Sequence, residues 1–150
     1  YVLPTPTDKH CYSNGSYASV YLATKLKGFS IADQWNPADK IATRAGFVNV
    51  PVLEATEAGS SFSLSFSGTA IGIALVSGPD AGVIKYRIDK GEFRTLHLFT
   101  KNSKSLHLPV YFILSDGLQA GAHEVEVKTS AIKGSGGGNA CRIVHFLVNK

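Results

Sequence analysis

The segment that most constrains the fold runs from Phe62 to Asp89 and reads as three strands joined by two turns. In its first part, apolar side chains alternate with serines, the period of two that is typical of a half-buried strand. Residues 70–76, AIGIALV, are apolar at almost every position, which predicts a central strand covered on both faces. Gly72 within this run suggests a bulge or a close backbone approach.

A turn and a third alternating strand complete this segment. In residues 78–82, GPDAG, proline presets φ and glycine can adopt a positive φ. Residues 83–89, VIKYRID, then alternate apolar and charged side chains. Consecutive antiparallel strands with one polar face are typical of a β-sandwich. We expect these side chains to face its interior: Phe62, Leu64, Phe66, Ile84, Tyr86, Ile88, Val125 and Val127.

The rest of the chain supplies further strand patterns and no convincing helix. Candidate strands cover residues 46–56, 92–100, 106–114, 123–129 and 140–149, and residues 16–23 are a candidate strand or strap. Residues 28–39 are loop-like, and residues 130–139, which include GSGGG, resemble a flexible turn. The pattern predicts an all-β fold: an antiparallel, jelly-roll-like β-sandwich of about eight strands.

The length of the chain indicates how many domains it forms, and its charge indicates which kinds of partner it can bind. The 150 residues suit a single domain over residues 12–150, preceded by a linker or strap over residues 1–11. The net charge is only +4 and the basic residues are scattered, which argues against nucleic acid as a partner. No apolar run approaches the roughly 20 residues that a membrane helix needs. The start at Tyr1 rather than at a methionine suggests a domain excised from a longer protein.

The two cysteines, Cys11 and Cys141, lie near opposite ends of the sequence. Because the termini of compact domains often lie close together, these residues could form a disulfide that closes most of the chain. Two buried free thiols are the alternative. Their separation matches no metal-binding motif.

The sequence does not contain the common catalytic motifs. It has no GxSxG, no HExxH and no Walker loop, and its five histidines show no metal-ligand spacing. Asp80 and Asp89 are explained by turns, where aspartate is favoured. The GSGGG segment precedes a strand rather than a helix, so it offers no phosphate site. We therefore expect no enzyme activity, no metal and no cofactor on this chain alone.

Binding is the more open question, and one aromatic residue is the leading candidate. Trp35, the only tryptophan, lies in a polar loop beside Asn36, so its indole could stack on a sugar. Alternatively, Trp35 plugs one end of the sandwich or packs on a neighbouring domain. If its loop meets the GPDAG turn, then Trp35, Asn36 and Asp80 form a contact surface for a glycan or for another domain.

Several stretches together resemble a known family. They are W-x-P at residues 35–37, RAGFVNVPVLEAT, FSGTAIGIALVSGPDAGVIKYRID, LHLP and ACRIVHFLVN. The sequence is similar to the non-catalytic β-sandwich domain of bacterial SGNH/GDSL-type esterases, often described as lipases or acylhydrolases. The most specific portions are residues 78–89 and 141–149, and the likeness covers nearly all of residues 12–149.

The resemblance implies a function that depends on a second domain. It implies an accessory domain of an exported esterase acting on acylated, carbohydrate-containing substrates. The domain would pack on or assist the catalytic SGNH domain of the same polypeptide, and the family's catalytic blocks are absent from this chain. An autonomous carbohydrate-binding module is the alternative function.

Overall fold

A computed structural model describes residues 1–2, 4–8 and 11–150, and within them the chain forms eleven strands and one short 3-10 turn at Val20–Leu22. Residues 3, 9 and 10 of the expected lead segment, including His10, lie outside the described residues. No helix in the described part is long and apolar enough to cross a membrane. The strands are β1 (Gly15–Ser19), β2 (Thr24–Lys27), β3 (Ser30–Ala32), β4 (Val52–Ala55), β5 (Ser61–Ser67), β6 (Ala70–Ser77), β7 (Val83–Ile88), β8 (Arg94–His97), β9 (Leu108–Ser115), β10 (Ala122–Thr129) and β11 (Cys141–Asn149).

The strands form an antiparallel sandwich of two sheets. The front sheet has the order β3-β4-β11-β6-β9, and β1 pairs with the part of β11 that β4 leaves free. The back sheet has the order β2-β5-β10-β7-β8. Strands β4 to β11 correspond to the eight predicted strands and have the strand order of a jelly roll. The predicted fold class is therefore confirmed.

Strands β1, β2 and β3 extend this arrangement beyond the eight predicted strands, although the first part of the candidate strand or strap at residues 16–23 does form β1. Most of their residues are exposed, so they lack the alternation that reveals a half-buried strand. The interpretation of residues 28–39 as loop-like was wrong at β3, which is recruited to the edge of the front sheet by pairing with β4. Tertiary pairing rather than local pattern makes these residues strands.

The main core lies between the two sheets. Seven of the eight side chains expected there are buried, and Ile88 is partly buried against them. Phe62 contacts Phe29 edge-on and Phe146 at a tilt, so the aromatic rings link the two sheets. All eight residues of β6 are buried, as expected of a central strand covered on both faces.

A second, smaller core lies on the outer face of the front sheet. Val52, Val76 and Val144 point away from the main core because their strand neighbours point into it. The segment between β3 and β4 folds over these valines and packs Trp35 and several apolar side chains against them. This covering loop explains why β6 has no solvent-exposed face at its C-terminal end.

The cysteines do not form the disulfide considered above. Both are free thiols: Cys11 donates to Ser13 Oγ, and Cys141 is buried, which raises the pKa of its thiol to about 12. Cys141 is the first residue of the nine-residue strand β11, and Asn149 is the last. The Cys11 carbonyl accepts a hydrogen bond from Asn149 Nδ2, so Cys11 lies at the opposite end of β11 from Cys141. At about 3.3 Å per residue, the length of β11 separates the thiols by on the order of 25 Å, too far for a disulfide.

In the back sheet, His123 near the start of β10 forms two hydrogen bonds that act as a clamp. His123 Nδ1 lies 2.6 Å from Asp89 Oδ2, and its Nε2 lies 2.6 Å from the Gln119 carbonyl oxygen. Both partners accept hydrogen bonds, so the protonated imidazolium satisfies both. The hydrogen bond with Asp89 is the largest cause of the raised pKa of His123, and the same bond lowers the pKa of Asp89.

We predict that this clamp makes stability depend on pH. Because the folded-state pKa of His123 lies above its ordinary value of 6.5, the stabilisation is complete below that pH. It is lost as pH rises through the folded-state pKa. In urea unfolding from about pH 6 to about pH 9, the difference in unfolding free energy between the wild type and His123→Gln should shrink. A difference that stays constant across this range would contradict the assignment.

Candidate functional site

A polar cavity of about 480 Å³ opens on the outer face of the front sheet, at the end where β11 begins. It lies between the covering loop that follows β3 and the turn that follows β6. Half of its lining residues carry a carboxylate, a carboxamide or a guanidinium group. The lining residues are Ala32, Gln34, Trp35, Asn36, Pro37, Ala38, Asp39, Glu54, Thr56, Asp80, His107 and Arg142.

Arg142 organises the cavity. Its residue is only 8% exposed, because the outward-facing side chain lies under the covering loop. The guanidinium binds Asp80 with two parallel hydrogen bonds, Nη1 to Oδ1 at 2.7 Å and Nη2 to Oδ2 at 2.8 Å. Its Nε donates to Glu54 Oε2 on the neighbouring strand β4. All three donor groups of the fork are therefore used by carboxylates.

This arrangement keeps Arg142 and Asp80 charged. Burial favours the neutral form of Arg142, but the hydrogen bonds and charges of Asp80 and Glu54 outweigh it and raise the Arg142 pKa. Burial likewise opposes ionisation of Asp80, and the bidentate contact with Arg142 outweighs it and lowers the Asp80 pKa. The Asp80 side chain stays 45% exposed, so its remaining lone pairs face the cavity. With Asp39, whose partner is His107, the cavity lining holds three acidic side chains and one arginine.

Trp35, in the covering loop, packs against this network. The indole is only 5% exposed, its Nε1 donates to Glu54 Oε2 at 3.0 Å, and the Arg142 guanidinium lies 5.5 Å from the ring centroid. Backbone hydrogen bonds to residues 49 and 50 hold it in place. Of the two alternatives that the sequence left open for Trp35, the structure shows a packed indole, which lies against the valines of the second core.

His107 closes another wall of the cavity. Its Nε2 lies 2.9 Å from both Asp39 carboxylate oxygens, so Nε2 carries the proton. Its Nδ1 is buried and has no hydrogen-bond partner. Nδ1 lies so close to Gly78 that a Cβ there would overlap the ring. Burial opposes ionisation of Asp39, but the Ile41 N–H and His107 outweigh it and lower the Asp39 pKa.

The glycine-rich loop, residues 130–139, packs against the turn that carries Asp80. A Cβ at Gly134, Gly136 or Gly138 would overlap the backbone carbonyls of residues 79–81. The Ala140 N–H donates to the Asp80 carbonyl at 2.9 Å. The interpretation of this segment as a flexible turn was therefore wrong: its glycines allow two stretches of backbone to pack directly on each other.

Trp35, Asn36 and Asp80, which the sequence singled out as ligand or domain contacts, line this one cavity. Asn36 is exposed, and its Nδ2 donates to Asn49 Oδ1 at 2.7 Å. The contact role of these three residues stays a prediction. No group of three or more potential metal ligands converges anywhere in the described residues.

The residues that sequence reasoning missed are Arg142, Glu54, His107 and Asp39. A signal for the first two was present: each is a charged residue in an otherwise apolar strand, and a charge in that position needs a partner. Nothing in the local pattern indicated which strands would be neighbours. His107 and Asp39 lie 68 positions apart, and only the packing of the covering loop brings them together.

We predict that Arg142→Met destabilises the domain by about 2–3 kcal/mol, because it leaves Glu54 and Asp80 without their cation. The loss is below that of a fully buried pair, since the Asp80 carboxylate is partly hydrated. Arg87→Met is the matched control: Arg87 pairs with Glu126 on the back sheet and is more exposed, so it should lose less than about 1 kcal/mol. Urea unfolding measures both, and equal losses would refute the central role of Arg142.

Comparison with known proteins shows likeness in structure. No protein-family model matches the sequence, and no curated protein sequence matches it. A two-domain esterase (CEX) active on acetylated mannans, co-crystallised with mannopentaose, aligns with 100% of this chain and 40% of its own, at a TM-score of 0.71 and 15% identity. The chain therefore spans about two fifths of that esterase.

Two further solved structures share the fold at lower similarity. A family two carbohydrate esterase from Cellvibrio japonicus aligns with 89% of this chain and 33% of its own, at a TM-score of 0.52 and 14% identity. The CBM36-1 domain of a multidomain xylanase from the hindgut metagenome of Trinervitermes trinervoides aligns with 89% of this chain and 95% of its own. The TM-score is 0.50 and the sequence identity is 13%. At these identities the likeness establishes the class of fold, a jelly-roll β-sandwich.

Proposed function

We propose that this chain is a non-catalytic accessory domain of an exported SGNH/GDSL-type esterase that acts on acylated carbohydrate. It packs on the catalytic domain of the same polypeptide and assists its action on the polysaccharide. The observation that carries this proposal is the alignment of the whole chain with two fifths of a two-domain esterase active on acetylated mannans. In this proposal, the catalytic groups belong to the other domain.

The contacts of the histidines support a non-catalytic role. A serine esterase needs a serine hydroxyl within hydrogen-bond reach of a histidine that an acid orients. In the part of the chain that the structure describes, two histidines do pair with aspartates, His107 with Asp39 and His123 with Asp89. Neither ring accepts a hydrogen bond from a serine, and the remaining nitrogens meet a backbone carbonyl or no partner.

We predict that the isolated chain does not hydrolyse p-nitrophenyl acetate above the rate in buffer, whereas the longer polypeptide that contains it does. Release of p-nitrophenol measures both. Activity of the isolated chain that survives repurification and disappears when one serine is replaced would refute a non-catalytic role. A longer polypeptide without esterase activity would refute the proposed parent enzyme.

A second candidate function, an autonomous carbohydrate-binding module, is favoured by the polar cavity. Its exposed groups include the Gln34 and Asn36 carboxamides and the half-exposed carboxylate of Asp80. Carboxylates and carboxamides accept hydrogen bonds from sugar hydroxyls, while the buried Arg142 is already neutralised. Because carboxylates are in excess, the cavity suits a neutral sugar better than a uronic acid.

Mannopentaose tests this second function. Trp35, the only tryptophan, contacts both Glu54 and Arg142, so sugar binding in the cavity should change its fluorescence. Asp80→Asn, which removes an acceptor charge without changing size, should weaken binding at least about tenfold. Asp89→Asn, at a half-exposed turn aspartate outside the cavity, is the control and should leave binding unchanged. Unchanged emission at millimolar mannopentaose would count against binding of this sugar.

A further inference from the structure

The outer face of the front sheet carries an apolar surface at the end opposite the cavity. Its side chains are mostly exposed: Tyr17 by 63%, Tyr111 by 51% and Ile113 by 48%. We call this surface the tyrosine patch, defined by Tyr12, Tyr17, Tyr111, Ile113 and Leu147. Large exposed apolar side chains are unremarkable singly, but a contiguous group of them marks an interaction site.

Strand register assembles the patch. Tyr17 of β1 lies opposite Leu147 of β11, Leu147 opposite Gly72 of β6, and Gly72 opposite Ile113 of β9. These residues therefore form one row across four strands on the outer face. Gly72 has no side chain, so the side chains of its two neighbours in the row can approach the sheet. A Cβ at Gly72 would lie 3.2 Å from the Cδ1 atoms of both Ile113 and Leu147. Those two side chains consequently lie close to the sheet.

The tyrosines are held in fixed positions. The Tyr17 ring stacks on His145, with 4.7 Å between ring centroids and 12° between planes. The Tyr12 hydroxyl donates to Asp116 Oδ2 at 2.9 Å. A hydrogen bond with Tyr17 is the largest cause of the raised pKa of Tyr111, followed by burial. Because the hydroxyls already have partners within the chain, the patch offers few free donors for sugar hydroxyls.

A depression of about 400 Å³ lies within the patch. Tyr12, Tyr17, Ile113 and Leu147 surround it, with Ala70 and neighbouring backbone at its base. Its lining is chiefly apolar and contains no charged side chain. Such a hollow fits an apolar side chain from another protein surface, as at the centre of many protein interfaces.

The outer face of the back sheet, by contrast, carries charged side chains. Arg87 and Glu126 form an ion pair there at 2.6 Å, and Lys25 pairs with Glu124 at 2.9 Å. Lys128 also contacts Glu126. Charged groups of both signs keep that face hydrated, in contrast to the tyrosine patch.

Both ends of the sandwich lie beside the patch. Asn149 Nδ2 donates to the Cys11 carbonyl at 3.3 Å, and the Lys150 N–H donates to the Asn14 carbonyl at 3.4 Å. Tyr12, which belongs to the patch, lies between these two contacts. A domain joined to either end of the sandwich would therefore be tethered next to this surface, at high effective concentration.

We propose that the tyrosine patch is the docking surface for the catalytic domain of the same polypeptide. This inference rests on the function proposed above and names the surface through which the two domains meet. An apolar side chain of the catalytic domain fills the depression, and the tyrosine rings pack around it. The polar cavity, at the other end of β11, then stays open to solvent and to the polysaccharide.

Hydroxyl-radical footprinting tests the docking. Oxidation of the patch residues is compared between the isolated chain and the longer polypeptide that contains it. The patch should oxidise at least about fivefold more slowly in the longer polypeptide. Two exposed apolar side chains away from the patch, Leu26 of β2 and Phe93 just before β8, are internal controls and should oxidise equally in both.

A matched pair of variants adds a second readout. In the longer polypeptide, Ile113→Asp places a charge in the patch and should restore oxidation of the tyrosines to the rate seen in the isolated chain. Ser65→Asp places the same charge at an exposed position of β5 and should leave the protection intact. The wild-type comparison stays decisive if Ile113→Asp does not fold.

The remaining outcomes each overturn the docking. Equal patch oxidation in an active esterase would refute it and leave the proposed function standing. A gene that encodes no esterase domain would refute the proposed function and the docking together. Protection of the patch in the isolated chain, either by mannopentaose or by rising protein concentration, would assign the surface to a sugar or to a second copy instead.

Discussion

A buried guanidinium needs carboxylate partners, and much of the front sheet is arranged to provide them. Arg142 lies in a strand that also forms part of the main core, so it cannot move to solvent without disturbing β11. Its partners come from a neighbouring strand, through Glu54, and from the turn after β6, through Asp80. The glycine-rich loop fixes that turn, and Trp35 covers the pair. The shape of the cavity thus follows from the neutralisation of one charge.

The front sheet carries two surfaces of different chemistry at opposite ends of β11. At the start of the strand, carboxylates and carboxamides converge around Arg142. At its end, tyrosines and aliphatic side chains surround an apolar depression. Small residues on the outer face of β6, Ala70, Gly72 and Ala74, let the large side chains of the adjacent strands lie low over the sheet. If both proposals hold, this separation allows the domain to contact a protein and a polar ligand at once without competition.

The turn that presents Asp80 and the polar loop that carries Trp35 could be predicted from the sequence, because the residues that form turns and loops are recognisable locally. Proline and glycine in GPDAG identify a turn that presents Asp80, and the turn forms with an Ala81 N–H to Gly78 carbonyl bond of 3.0 Å. Asn36 and Trp35 were recognisable as a polar loop with one aromatic residue. Whether Trp35 would be packed or exposed was left open, because nothing in the loop's composition shows that it folds back over three outward-facing valines.

The sequence by itself determined the eight jelly-roll strands and the inward face of most of them. Alternation with a period of two depends only on the geometry of the strand, so it can be read residue by residue. Tertiary structure decided which strands are neighbours, and with them the pairing of Arg142 with Glu54 and Asp80. It also decided that Cys141 begins β11 while Cys11 contacts the end of that strand, and that the glycines pack on a turn. Those contacts join residues far apart in the chain, and their energies depend on burial, which no local pattern encodes.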